Sequence, residues 1–527
     1  MTHLVNVLGL LAAGALTAQT ASAEVPVPRL SPGAGYHAAS LDDAAATAAD
    51  PLPITEAIRR EVTVDVSLSV ADFYAAHGFA PIWTPARAKA LRARLADAER
   101  DGFDPADYFV PFGLSDAAAE VSLTEAALRY GRHATSGRVS PLSISRLMTS
   151  EPPKLDEAAF LQAIAETDDI AAVLDAASPQ HPQFVALKAA LGRALESRQD
   201  DRPAVGPGPT LKRGSQEVRV AVLRSRLGAT VVRGEDPTLF DDTLDDAVRN
   251  FQRTHGLSPD GIVGPRTVGI LDEGIGDDVN AALVSNMERW RWLPRDLGAE
   301  HVIVNVPAYR VRVVSGGKTT YEGRVIVGDT GHPTPIFSDE IEHVVVNPYW
   351  NVPISIASKE MLAGIQANPS GYFARRGYEV VYNGNVIDPG SLSWHQGMLN
   401  QVRIRQKPGR GNALGAVKFM FPNKHAVYLH DTPGKNLFDR SQRALSHGCV
   451  RVDRPFEFAD ALLAHDANLS GNRLRRLVGG DQRYLNLETP VPVHLTYFTR
   501  EVRADGSVIR HADIYGYDAR TQRALAE

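Results

Sequence analysis

The spacing of apolar residues changes several times along the chain, and each change predicts a different kind of element. Leu4 to Leu16 is an apolar run interrupted only by Asn6, followed by Ala21-Ser22-Ala23. That order is the form of a signal peptide with a small-x-small cleavage site. The run is too short to span a membrane, which takes about 20 apolar residues. Residues 1–23 are therefore expected to direct export and be removed, or, with no Lys or Arg ahead of the run, to be retained as an inner-membrane anchor. Residues 24–53 are rich in Pro, Ala and Asp without a sustained period and read as a linker. From 54 to 200 apolar positions recur at helical spacing, as at Leu91, Leu95 and Ala98, with breaks at Pro81, Pro85, Pro105 and Pro111. This predicts an α-helical scaffold domain, and it contains no cluster of catalytic residue types.

Gly206-Pro207-Gly208-Pro209 marks a boundary, and the pattern over 207–275 predicts three short helices. Ser215 is the expected cap of the first, which turns Val220, Leu223 and Leu227 inward. Asp242 is the expected cap of the second, with Leu244, Val248 and Phe251 inward and Gly256 as its left-handed stop. Gly264-Pro265 opens the third. From about 285 the period shortens to two. Strands are expected at 301–306, 309–314, 324–327, 342–347, 417–421 and 426–429, and again at 492–498 and 508–515 to complete the same sheet. Residues 351–400 interrupt them as a polar, helical insertion. It is expected to cap a cleft as a mobile lid, with Gly364, Gly371 and Gly377 as hinges.

At 527 residues the chain exceeds what one hydrophobic core supports, which agrees with several domains. Its net charge of -6 gives no electrostatic footprint for nucleic acid. It has one cysteine, which cannot pair within the chain, and a lone thiol in an oxidising compartment is a liability unless it is used.

That cysteine lies in Leu445-Ser446-His447-Gly448-Cys449-Val450-Arg451, downstream of Tyr428-Leu429-His430-Asp431. A thiol nucleophile needs a base or a cation beside it to act as thiolate, and two histidines flank this one. Gly448 allows a tight bend that turns amides toward a developing oxyanion. Arg451 suits a substrate carboxylate or, equally, a structural ion pair. Spacing alone does not choose between His430 and His447 as the base. His430 is favoured because a strand end can bring it to Cys449, leaving His447 to order the loop. A zinc site built from His430, His447 and Cys449 is the sharpest competitor, although the paired signatures of zinc sites are missing. A papain-like protease would place its histidine after the cysteine, the reverse of the order here.

Ser446-His447-Gly448-Cys449-Val450-Arg451, with His430 upstream, resembles the active-site signature of the YkuD family of L,D-transpeptidases. Asn347-Pro348-Tyr349-Trp350-Asn351-Val352-Pro353 and Asn412-Ala413-Leu414-Gly415 resemble its large YcbB-type branch. Leu211-Lys212-Arg213-Gly214, Phe251-Gln252 and Asp260-Gly261-Ile262-Val263-Gly264 resemble the small peptidoglycan-binding domain. The resemblance implies a multi-domain α+β protein. It would have a β-rich catalytic domain over 285–527 with a helical capping insertion, an α-helical scaffold over 54–200 and a three-helix peptidoglycan-binding domain over 207–275. It also implies Cys449 as nucleophile, His430 as proton acceptor, and an oxyanion hole at the backbone of His447, Gly448 and Cys449, shaped by Ser446. Tyr428, Trp350 and Arg451 would meet the substrate. The reaction implied is release of D-alanine from a tetrapeptide stem and transfer of the acyl group to an amine; water as acceptor would give an L,D-carboxypeptidase. A wall-binding scaffold that keeps the fold without the activity is the alternative of another class. The family implies no cofactor, periplasmic location, carbapenem inhibitors, and peptidoglycan and cell-wall synthesis enzymes as partners. Asp431 stands where smaller members often carry Ser or Gly, so a Cys-His-Ser triad is not expected.

Overall fold

The computed structural model describes residues 52–62, 66–196, 203–206, 208–231, 236–255, 257–272 and 278–527. The expected signal peptide, all but the end of the linker, and Gly256 lie outside them.

The N-terminal helices start where the sequence supplies caps. Thr84, Ser115, Asp156 and Asp169 each accept an amide of the first turn with the side chain, for Pro85–Ala96, Asp116–Ser136, Glu157–Glu166 and Ile170–Ala176. Pro85 and Pro105 therefore begin helical turns rather than break them, since a first-turn residue needs no amide hydrogen. Leu91, Leu123, Leu128 and Leu161 meet in one core.

The next unit has three helices, Val218–Leu227, Asp242–Thr254 and Pro265–Leu271, around Leu223, Leu244, Val248 and Val263. Two caps differ from expectation. Glu217 occupies the first cap, because the Ser215 hydroxyl is taken by the Lys212 amide at 3.0 Å. Asp241, not Asp242, caps the second by accepting the Leu244 amide at 2.8 Å.

The C-terminal part is built on a nine-stranded sheet. Its order is Ala444–Ser446, Lys318–Gly328, Val450–Val452, Leu429–His430, Val417–Met420, Phe337–Val346, Arg483–Thr496, Glu300–Asn305 and Arg310–Ser315. Arg310–Ser315 also pairs with Lys318–Gly328, so the sheet closes on itself around a core that includes Val304, Val344, Phe419, Leu429 and Val450. The expected strand at 508–515 does not join it. Arg500–Val502 and Val508–Arg510 form a separate two-stranded hairpin. The insertion is not purely helical either: Trp350–Asn351, Tyr378–Tyr382, Asn385–Ile387 and Arg403–Gln406 make a four-stranded sheet beside its helices, over its own core of Ile365, Phe373, Val380, Trp394 and Ile404. Tyr378-Glu379-Val380-Val381-Tyr382 carries the β-branched and aromatic composition that favours such a strand.

The helix Asp278–Arg291 joins the parts. Met287 and Trp290 pack with Phe184, Leu187 and Phe498. Arg291, fully buried, reaches Glu288 and the Asp101 carbonyl and lies over the rings of Phe103 and Phe184.

Candidate active site

Strand register places the site. Leu429 pairs with Phe419 on one side and with Val450 on the other, and all three point into the closed core. Successive side chains of a strand alternate in direction, so the next residue along each strand faces the opposite way. One row on that outer face runs Val345, Lys418, His430, Arg451 and Ile326 across five strands. Tyr428 and Cys449 stand one step along it, each two residues from a member of the row. The Val450 amide donates to the Tyr428 carbonyl at 3.1 Å and ties the two segments together.

His430 is 4% exposed, and its Nδ1 lies 2.5 Å from the carbonyl oxygen of Asp431. A carbonyl only accepts, so Nδ1 carries the proton and Nε2 is left as the basic nitrogen. Burial, helped by the charges of Arg451, Lys418 and Lys435, drives His430 down to about 3, so it is neutral at physiological pH. The partner that fixes its tautomer is thus a backbone carbonyl. The Asp431 carboxylate turns elsewhere, to Lys435 at 2.5 Å and to the amides of Thr432 and Ala416. Gly415 (φ +60°) closes that loop, where a Cβ would strike the Asp431 carboxylate.

Cys449 is half-buried and free. Burial pushes its thiol up, while the Tyr428 backbone and the charges of Arg451 and Lys418 act in the opposite sense. The bend before it is internally bonded. Ser446 Oγ donates to the Cys449 carbonyl at 2.5 Å and accepts the Gly448 amide at 3.2 Å, and Thr334 Oγ1 donates to the Gly448 carbonyl at 2.8 Å. Gly448 has φ +110°, a conformation side-chain-bearing residues rarely adopt. Its amide is therefore engaged by Ser446. Among the described residues, the His447 and Cys449 amides have no acceptor.

His447 points away from this centre. Its side chain is exposed, its Nε2 lies 2.7 Å from Glu360 of the insertion, and its ring is 4.6 Å from that of His332, which itself meets Asp329. The structure thus separates the two histidines: His430 belongs to the face bearing Cys449, and His447 bridges to the insertion. Trp350 belongs to the insertion, packing on its core with its ring 6.2 Å from Tyr378. Tyr428 lies edge-on to His430 at 5.6 Å, and burial together with the Cys449 charge raises its phenol. No group of three or more His, Cys, Asp or Glu residues among those described is arranged to hold a metal.

Two neighbours, Lys418 and Glu360, were not visible in the motifs. Lys418, opposite His430, has no carboxylate partner among the described residues; its ammonium stands 5.1 Å over the Tyr428 ring and burial lowers its pKa. Burial likewise lowers Arg451, whose Nε has no acceptor. Glu360, which meets His447, is the second. Asn347 and Asn412 serve the root of the insertion. Asn412 Nδ2 donates to the carbonyls of Pro348 and Lys407, both at 3.0 Å, and Asn347 Nδ2 to that of Leu477 at 2.7 Å.

Residues 299–493 match the L,D-transpeptidase catalytic domain of the YkuD family, residues 68–191 a scaffold domain, and residues 225–271 a "Putative peptidoglycan binding domain". The chain therefore carries a YkuD-type L,D-transpeptidase catalytic domain together with scaffold and peptidoglycan-binding domains. Over 244 residues it is 35% identical to a "Putative L,D-transpeptidase" of Haemophilus influenzae, covering 46% of this chain and 49% of that one. It thus spans about half the length of that relative. Among solved structures it is similar to an L,D-transpeptidase of Xylanimonas cellulosilytica (16% identity, 55% of this chain and 99% of that one, TM-score 0.17). Another is an L,D-transpeptidase of Mycobacterium smegmatis (12% identity, 38% and 58%, TM-score 0.17).

Proposed function

We propose that this chain is an exported L,D-transpeptidase that cross-links peptidoglycan by acyl transfer through Cys449. The observation that supports the reading is the sheet register: His430, its Nδ1 bonded to the Asp431 carbonyl, pairs with Arg451, two residues from the chain's one thiol at Cys449.

His430 Nε2 takes the thiol proton as Sγ attacks the carbonyl of the third residue of a tetrapeptide stem. The amides of His447 and Cys449 receive the oxyanion. Collapse breaks the bond to the terminal D-alanine, whose nitrogen leaves with the proton from His430, and a thioester to Cys449 remains. The amine of a second stem then attacks the thioester and gives up a proton to His430. That proton returns to sulfur as the cross-link forms. Arg451 and Lys418 supply positive charge beside the thiolate, and Arg451 is also placed for a substrate carboxylate. Glu360, paired to His447, connects the insertion to the nucleophile loop, as a lid over the donor requires.

Incubation with a purified disaccharide–tetrapeptide should release D-alanine and yield a dimer one D-alanine lighter than two donors. A Cys449→Ala chain that still gave both products would overturn the reading.

A further inference from the structure

A cleft of about 680 Å³ between the three-helix unit and the catalytic sheet has no role in the function proposed above. One wall is Pro265–Leu271, and the other includes the Arg310–Ser315 strand, residues 441–443 and the hairpin after Arg500. Six arginines line it (Arg266, Arg310, Arg312, Arg443, Arg503 and Arg510) against three carboxylates, in a chain whose overall charge is -6. The carboxylates are already engaged. Glu501 meets Arg312 and His511, both at 2.7 Å. Glu322 meets Arg312 at 2.7 Å and Arg310 at 3.5 Å. Asp513 accepts from the Tyr497 hydroxyl at 2.6 Å and from the amides of Tyr517 and Asp518. Arg266 and Arg503, both exposed, make no ion pair with a carboxylate among the described residues, although Arg503 bonds the Ser507 hydroxyl and its charge acts on Asp505; Arg443 is held by the carbonyls of Val325, Arg440 and Tyr309 and lies over the Tyr309 ring. Burial, and then the charges of Arg310 and Arg324, lower the pKa of Arg443 against the opposing pull of Tyr309 and Asp453.

We infer that this arginine-lined cleft binds the carboxylate-bearing stem peptides of an uncross-linked peptidoglycan strand, holding the strand while a neighbouring stem enters the catalytic site. The inference rests on the function proposed above. A stem peptide carries several carboxylates, and guanidinium groups pair with carboxylates in a two-pronged geometry that lysine lacks. A volume of this size accommodates a short peptide. Position supports the pairing. Arg443 leads directly into Ala444–Ser446, and Cys449 follows six residues on, at most about 20 Å of extended chain. A four-residue stem spans about 13 Å, so one strand can occupy both places.

The test uses the full chain and the doubly reversed variant Arg266→Glu/Arg503→Glu, with a soluble disaccharide–tetrapeptide as the calorimetric probe and carbapenem acylation of Cys449 measured in parallel. The expected result is affinity for the disaccharide–tetrapeptide at least tenfold weaker in the variant, with the acylation rate unchanged, and no competition from glycan strands stripped of their stems. Unchanged affinity, or equal competition by stripped glycan, would overturn the inference. If the unaltered chain is not acylated at Cys449 yet binds the stem through these arginines, the function proposed above fails and the cleft assignment stands.

Discussion

Two groups of cations in this molecule, one buried and one half-buried, have opposite surroundings. At the joint between the helical and β-rich parts, Arg291 faces Glu288 and Arg289 faces Asp518 at 2.6 Å, with further donors spent on the Asp101 carbonyl and Thr521. On the outer face of the catalytic sheet, Lys418 and Arg451 flank His430 with no carboxylate between them. A buried charge with its partner holds structure in register, whereas one without a partner lowers stability and is retained where a negative charge arrives during the reaction. Under the function proposed above, that charge is the thiolate and the substrate carboxylate.

The sharpest way to break the comparison is to remove one cation from each group. Arg291→Ala leaves the buried Glu288, whose carboxyl burial already raises, with the amides of Arg138 and Val139 but without its cation, and the expected cost is about 3–5 kcal/mol in denaturant unfolding. Lys418→Met keeps most of the volume and removes an uncompensated charge. Its melting temperature should hold or rise, while acylation of Cys449 at neutral pH slows about tenfold, equivalent to about 1.4 kcal/mol. A Lys418→Met chain that lost stability without losing rate would place Lys418 with the structural group.

A smaller effect is expected with acid. Burial, the leading cause in each case, lowers His430 to about 3 and His133 and His494 to about 4, from 6.5. The unfolded chain binds protons at these histidines below pH 6.5 that the folded chain refuses. Their contribution to stability is therefore complete above 6.5 and is lost as pH falls through about 4 and then about 3. Glu501, held at about 2 chiefly by His511 and Arg312 against burial, starts to give up its share below its ordinary 4.5 and loses it as pH falls through about 2. Thermal unfolding should weaken first between pH 6.5 and 4, and a melting temperature flat across that window would contradict the buried neutral histidines.

The parts legible in the sequence were those encoded locally. The hexapeptide around Cys449, the apolar spacing of the helices, and the alternating strands each announce themselves within a few positions. The site's electrostatics did not. Lys418 sits in Val417-Lys418-Phe419-Met420, an ordinary alternating strand, and only pairing with His430 gives it meaning. Glu360 lies 87 positions before His447 and meets it only because the insertion folds back. Caps were misplaced where a hydroxyl had a competing local partner, as at Ser215. The hairpin after Arg500 looked like more of the main sheet because composition reports strand character and not the neighbour.

The account stands or falls on the resting state of the Cys449–His430 pair, which it holds to be uncharged: a thiol raised by burial beside an imidazole that stays neutral down to about pH 3. With one cysteine in the chain, the rate of alkylation by iodoacetamide against pH reads that state without ambiguity. The predicted profile climbs continuously from pH 6 into the alkaline range, with no plateau between 5 and 8. A flat, fast plateau across that interval, ending only when His430 is changed to Ala, would mean a preformed thiolate–imidazolium pair and would contradict the mechanism proposed here.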